Sequence, residues 1–197
     1  MTLALVRHGR TAWNRQRRMQ GRADIPLDAH GRAQAEAAGQ LLASAVWGRV
    51  VTSPMRRATE TARIIRAHLG ETEWLVDPDL VERDYGRAEG MSVVEAAERW
   101  PDQDYPGAES LAHTALRGAA ALSELLDAGR DAVVVAHGTL LRLAVDALTG
   151  GQCPRILNGE IILLERDGAG LPSAAPDGLN RLSWPARSRT RSRRRRS

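Results

Sequence analysis

The chain has one cysteine, no lysine, no phenylalanine and no long apolar run among its 197 residues. Cys153 on its own excludes an intramolecular disulfide framework and a thiolate metal cluster, and it fits a reducing, cytoplasmic setting. No stretch approaches the roughly 18 apolar residues needed to span a bilayer. Residues 3–6 are apolar but run straight into Arg7, without the basic segment and longer apolar core of a secretory signal. No membrane contact is expected. The missing lysine and phenylalanine read as compositional bias, without functional content.

Positive charge is present but unevenly placed. The formal net charge is +4, with a pI near 10.4. Seven arginines, Arg187, Arg189, Arg191 and Arg193 to Arg196, fall at the very end; without them 21 basic residues face 24 acidic ones, about −3. The basicity belongs to a tail, expected to be disordered over residues 185–197, behind a single domain at 1–184. That tail has no aromatic side chain to stack on bases, so a solvated tail is expected and nucleic acid is not the expected partner.

Strand-like and helix-like patterns alternate along the body. Residues 3–6, 49–52, 74–76, 132–136, 156–165 and 178–184 read as strands. Helices are expected at 29–46 with Asp28 as N-cap, at 54–69, 93–100, 109–126 and 139–148. In the first helix Ala33, Ala37, Leu41 and Leu42 form the expected inward stripe. The alternation predicts a three-layer α/β/α sandwich with a mostly parallel central sheet.

Two of these strands end alike, in Val6-Arg7-His8-Gly9 and in Ala136-His137-Gly138-Thr139. Parallel strands present their carboxyl ends on one edge, where ligands bind, so His8 and His137 are candidates to share a pocket. Gly9 and Gly138 would let backbone amides approach an anion, with a helix N-terminus following His137. A third strand ends in Thr52-Ser53-Pro54-Met55-Arg56-Arg57 and brings cations to the same edge. The segment Leu80-Val81-Glu82-Arg83-Asp84-Tyr85-Gly86 sets a carboxylate in a glycine-flanked loop, an environment suited to a general acid.

Together these segments resemble, in order, the four signatures of the histidine phosphatase superfamily, the phosphoglycerate-mutase-like proteins. The second extends through Ala58-Thr59-Glu60-Thr61-Ala62, and the likeness covers about residues 2 to 165. The resemblance implies that His8 is the phosphorylated nucleophile and that Arg7, Arg57 and His137 bind the phosphoryl group. Arg57 is preferred to Arg56 because it immediately precedes Ala58. Asn14 would contact phosphate, Gln20 and Gly21 would lie in a pocket-lining loop, and Glu82 would be the proton donor. The chemistry needs neutral His8 with its other ring nitrogen held protonated, and cations, including a protonated His137, around the transferred group. These cations take the place of a metal, so neither metal nor cofactor is expected.

Phosphatase and mutase chemistry both use this constellation. The family's mutases carry a long insertion between the glutamate and second-histidine motifs, whereas 54 residues lie between Glu82 and His137 here. Pro106-Gly107-Ala108-Glu109-Ser110 also resembles a turn of the phosphatase branch. A metal-independent phosphomonoesterase acting on a small phosphorylated metabolite is therefore expected, as monomer or homodimer. The segment from Glu82 to Gly86 is closer to the mutase form, in which Arg83 would bind a substrate carboxylate, so cofactor-dependent mutase transfer is the alternative. A non-catalytic anion-binding module, with its basic tail on nucleic acid, is the third reading. Arg10 departs from the acidic or amide residue usual at its position and is expected to be exposed.

Overall fold

Five apolar residues in succession, Ala132–Ala136, form a strand with 0% exposure throughout, which requires a sheet covered on both faces. The structure is a computed structural model and describes residues 1–151, 153–166 and 180–184. In chain order its elements are β1 (Thr2–Arg7), α1 (Ala12–Arg15), α2 (Ala29–Leu42), β2 (Arg49–Thr52), α3 (Arg56–Arg66), β3 (Glu73–Val76), α4 (Val93–Arg99), α5 (Leu111–Asp127), β4 (Ala132–Ala136), α6 (Gly138–Thr149), β5 (Ile161–Arg166) and β6 (Asn180–Trp184). Short 3-10 turns occupy Pro78–Leu80 and Gly86–Ala88.

The strands form one sheet in the order β3-β2-β4-β1-β5-β6. β3, β2, β4 and β1 are parallel; β5 runs antiparallel to β1, and β6 parallel to β5. Alternate strand residues feed two cores. Leu3, Leu5 and Val134 meet Leu122, Leu126 and Leu140 of α5 and α6, while Ala4, Val6 and Val133 meet Leu42, Ala62 and Ile65 of α2 and α3. Each leucine so buried contributes roughly 1.5–3 kcal/mol. This is the expected three-layer sandwich with a mostly parallel sheet. Among the described residues no helix is long and apolar enough to cross a membrane.

Several expectations need correction. On α2 the buried stripe is Gly31, Ala35, Ala38, Gly39 and Leu42, not Ala33, Ala37 and Leu41, and Leu41 is 49% exposed. Glycines set this rotation, because a Cβ on Gly31 would lie 2.1 Å from the Arg10 carbonyl oxygen and one on Gly39 would strike the His68 ring. Asp28 is the N-cap as expected, accepting from the Gly31 N–H at 2.8 Å. α3 begins at Arg56 rather than 54 and ends at Arg66. Residues 156–160 are not strand: Gly159 has φ +78°, and its N–H donates to the Arg7 carbonyl, turning the chain across the end of β1. The strand expected at 178–184 is present over Asn180–Trp184. The tail expected at 185–197 lies outside the described residues.

Candidate active site

β2, β4 and β1 are neighbours in the sheet and parallel, so their carboxyl ends open on one edge. The ladder continues one residue past each strand. The His8 N–H donates to the Ala136 carbonyl and the Ser53 N–H to the Val135 carbonyl, both at 3.0 Å. His8 and His137 are thereby brought together, with ring centroids 5.2 Å apart and ring planes at 61°.

Both rings are buried, His8 at 3% exposure and His137 at 0%. His8 Nδ1 lies 2.7 Å from the Gly9 carbonyl oxygen. Because a carbonyl only accepts, we assign the proton to Nδ1 and the lone pair to Nε2. Burial first, then the charges of Arg57 and Arg7, hold the His8 pKa well below the ordinary imidazole value. Burial and Arg57 also lower the pKa of His137, with His8 and Arg7 adding to the effect. The expected protonated His137 is therefore not what the unliganded site holds. Its Nε2 lies 2.8 Å from Ser53 Oγ, and its Nδ1 is buried without a partner.

Arg57, near the start of α3, has 0% exposure. Its guanidinium donates to the carbonyls of Gly21 and Ala23, each at 2.8 Å. The Gln20 amide, with its oxygen toward Arg57, accepts from Nε at 2.8 Å and donates to Thr11. Burial lowers the Arg57 pKa to about 10, with Glu82 the largest opposing charge, so it is a cation at neutral pH. Arg7 donates from Nη1 to the Ile156 carbonyl at 2.8 Å, and its Nε is buried without a partner.

Glu82, 6% exposed, ties its loop to the first turn of α6. Oε1 accepts from the N–H groups of Arg83 (2.9 Å) and Leu140 (3.0 Å), and Oε2 accepts from that of Thr139 (3.1 Å). Asn14 closes a capping box with Thr11, and its Oδ1 accepts from the Thr11 N–H and from Asn158 Nδ2, both at 3.1 Å. Its NH₂ remains a donor on the wall of a cavity of about 280 Å³ that also meets Arg7, His8, Gln20, Glu82 and Gly138. Arg57 and His137 stand behind this wall. Among the described residues no group of three or more His, Cys, Asp or Glu is arranged to hold a metal ion.

The sequence of the chain matches a known family. The model of the histidine phosphatase superfamily (branch 1) matches residues 3–170. The chain belongs to the histidine phosphatase superfamily. It is 39% identical over 162 residues to the uncharacterized phosphatase PhoE of Bacillus subtilis, covering 79% of this chain and 83% of that protein. It is 33% identical over 174 residues to a 2,3-bisphosphoglycerate-dependent phosphoglycerate mutase of Gloeobacter violaceus, covering 78% and 80%. Among solved structures, YhfR of Bacillus stearothermophilus superposes with a TM-score of 0.77 at 29% identity, covering 90% of this chain and 96% of that one.

In this member of the superfamily several residues sit differently from the sequence reading. Arg83 is 2% exposed, donates to the carbonyls of Glu109 (2.8 Å) and Gln103 (2.9 Å), and lies over the rings of Tyr85 and Tyr105. It braces the 103–109 loop and does not reach the cavity. Gly21 supplies a carbonyl to Arg57 rather than a wall. The Gly9 amide is bonded to Thr61 Oγ1 at 3.0 Å, and its missing side chain makes room for Gly31. At Gly138 the space is taken by Arg7, whose Cζ and Nε would lie 3.1 Å from an added Cβ. Arg10 is paired with Asp28 at 2.9 Å, its side chain 32% exposed. Trp13 is half-buried against Gly90. Sequence reasoning missed Ser53, Asn158, Arg18, Arg142 and Arg155; only the Asn158-Gly159 turn signal pointed to one of them.

Proposed function

We propose that this histidine phosphatase is a metal-independent phosphomonoesterase acting through a phosphohistidine on His8. The observation that carries the reading is the Nδ1 contact to the Gly9 carbonyl, which leaves the Nε2 lone pair of a neutral ring at a cavity lined by Arg7 and backed by the buried Arg57. In the first step Nε2 bonds to phosphorus as the ester P–O bond breaks, and Glu82 gives its proton to the leaving oxygen. Water then attacks phosphorus and yields a proton to Glu82, the N–P bond breaks, and orthophosphate leaves with His8 neutral again. Charge on the transferring oxygens is met by Arg7, Arg57 and the Asn14 amide, held in place beforehand by backbone carbonyls and Asn158. The two orphaned buried atoms at the site, Arg7 Nε and His137 Nδ1, are further groups for phosphoryl oxygens to satisfy. A reducing, cytoplasmic setting fits the single cysteine.

Mutase transfer remains the second reading because several relatives bear a mutase name. Against it stands Arg83, the residue that favoured it, which is spent on backbone carbonyls. The test is full-length protein in EDTA with p-nitrophenyl phosphate, sugar phosphates, phosphoglycerates and nucleotides. Hydrolysis is expected, with an acid-labile adduct that is lost in His8→Ala and a loss of roughly 100-fold or more in Arg57→Ala. No turnover of any ester would end the proposal, and exchange of phosphoryl between glycerate positions without phosphate release would favour the mutase.

A further inference from the structure

Five arginines surround one mouth in a body whose charge without the tail is about −3. Arg7, Arg18, Arg142 and Arg155 line the cavity at His8, with Glu82 the one carboxylate on its wall. An adjoining cavity of about 310 Å³ shares Arg7, Arg18 and Arg155, adds Arg17, and among the described residues has no acidic one on its wall. A monoester phosphoryl group carries up to two negative charges, which Arg7 and Arg57 already balance. Arg18, Arg142 and Arg155, on the wall of the cavity at His8, are surplus to that task.

Their surroundings do not compensate them either. Arg18 is held by neutral groups, the Gly90 carbonyl at 2.7 Å and Gln16 Oε1 at 3.1 Å. Asp146 approaches Arg142 only to 3.9 Å. Neither Arg18 nor Arg155 has an ion pair among the described residues. Glu82 is the main acid in the field of Arg7; Glu160 acts on it more weakly and is bonded to the Leu157 N–H. Arg155 stands close enough to Arg7 that its charge helps lower the Arg7 pKa, after burial. Like charges crowded over an open cavity are unfavourable when it is empty, and an anion between them relieves the repulsion.

We propose that Arg18, Arg142 and Arg155 form a subsite for a second anionic group, a carboxylate or a second phosphate, on the same small substrate. For the reaction itself this rests on the phosphatase reading; for binding it does not. A single-charged-head ester would occupy the inner clamp and leave the outer arginines unpaired. A doubly anionic one engages both and gains affinity mainly through KM.

The experiment uses matched pairs on the full-length protein: 3-phosphoglycerate against glycerol 3-phosphate, and fructose 1,6-bisphosphate against fructose 6-phosphate. The doubly anionic member of at least one pair is expected to have a kcat/KM about 10-fold or more higher, and the responding pair identifies carboxylate or phosphate. Arg142→Gln with Arg155→Gln, both solvent-facing, is expected to lower that member about 10-fold more than its partner, through KM, with the difference shrinking in high salt. Calorimetric binding of the same four compounds to full-length His8→Ala separates the subsite from the chemistry. Tighter binding of a doubly anionic compound, lost in the arginine variant, supports the subsite even if wild type hydrolyses nothing. Equal affinity within both pairs, or an equal loss for both members in the double variant, overturns it even if hydrolysis is brisk.

Discussion

Gly138→Ala tests whether the backbone at the start of α6 sets the position of Arg7. An added Cβ would lie 3.1 Å from Arg7 Cζ and Nε and 3.3 Å from Cδ, where comfortable contact needs about 3.5–4.0 Å. The guanidinium cannot swing away freely, because Nη1 is fixed on the Ile156 carbonyl at 2.8 Å. A retreat of about half an ångström follows. Since misplacement by about 1 Å costs on the order of 100-fold, kcat/KM on p-nitrophenyl phosphate should fall by about 10-fold or more. Stability should hardly move. Gly138 is helical, and alanine there gains about 0.4–1 kcal/mol through the unfolded chain, which offsets the local crowding. Thermal unfolding should stay within about 4 °C of wild type. Gly70→Ala, with nothing within 4 Å of the new Cβ, is the control and should change neither. Wild-type activity in Gly138→Ala would refute the reasoning, and so would a loss of activity accompanied by a fall in Tm of more than about 10 °C, which would mark Gly138 as ordinary packing.

Three other outcomes are expected. Ser53→Ala removes the partner of His137 Nε2 from a ring whose Nδ1 is already unpartnered; a loss of about 1–3 kcal/mol in denaturant unfolding is expected, and no loss would mean that the bond is idle. His8 and His137 are neutral when folded but titrate near 6.5 when unfolded, so the unfolded chain binds more protons below that pH. Stability should therefore fall between about pH 7 and 5, with a slope approaching about 1.4 kcal/mol per pH unit for each histidine. Glu109, pushed up by burial but pulled down to about 2 by Arg117, keeps its contribution throughout that window and does not mask the trend; a flat curve from urea titrations at pH 7, 6 and 5 would contradict it. Arg83→Gln should cost about 1–3 kcal/mol of stability by leaving two partly buried carbonyls without their donor, without changing the preference between 3-phosphoglycerate and glycerol 3-phosphate. A selective loss on the carboxylate substrate would restore Arg83 to substrate binding.

The layered fold was legible because burial on both faces writes itself as unbroken apolar runs, in residues 3–6 and 132–136 above all, and because both runs stop at a histidine followed by glycine. Four of the five expected central residues, Arg7, His8, His137 and Glu82, were visible as strand-end or loop residues out of place in ordinary turns, and the resemblance chose Arg57 over Arg56 and supplied the roles. The α2 stripe was misread because periodicity counts apolar side chains, whereas that helix packs through glycines that approach backbone directly.

The sequence by itself determined which segments become strands and which groups end them, since these follow from local pattern. Tertiary structure alone decided that β2, β4 and β1 are neighbours, and hence that His8 and His137 meet. It also decided which arginines face ligand. Arg83, which sequence nominated for substrate, is consumed by backbone carbonyls, and Arg10, expected to be exposed, is paired with Asp28. Arg18, Arg142 and Arg155, unremarked in sequence, line the mouth. The physical reason is that a guanidinium is the same in any sequence, and only the acceptors folded around it determine whether its charge is spent or free.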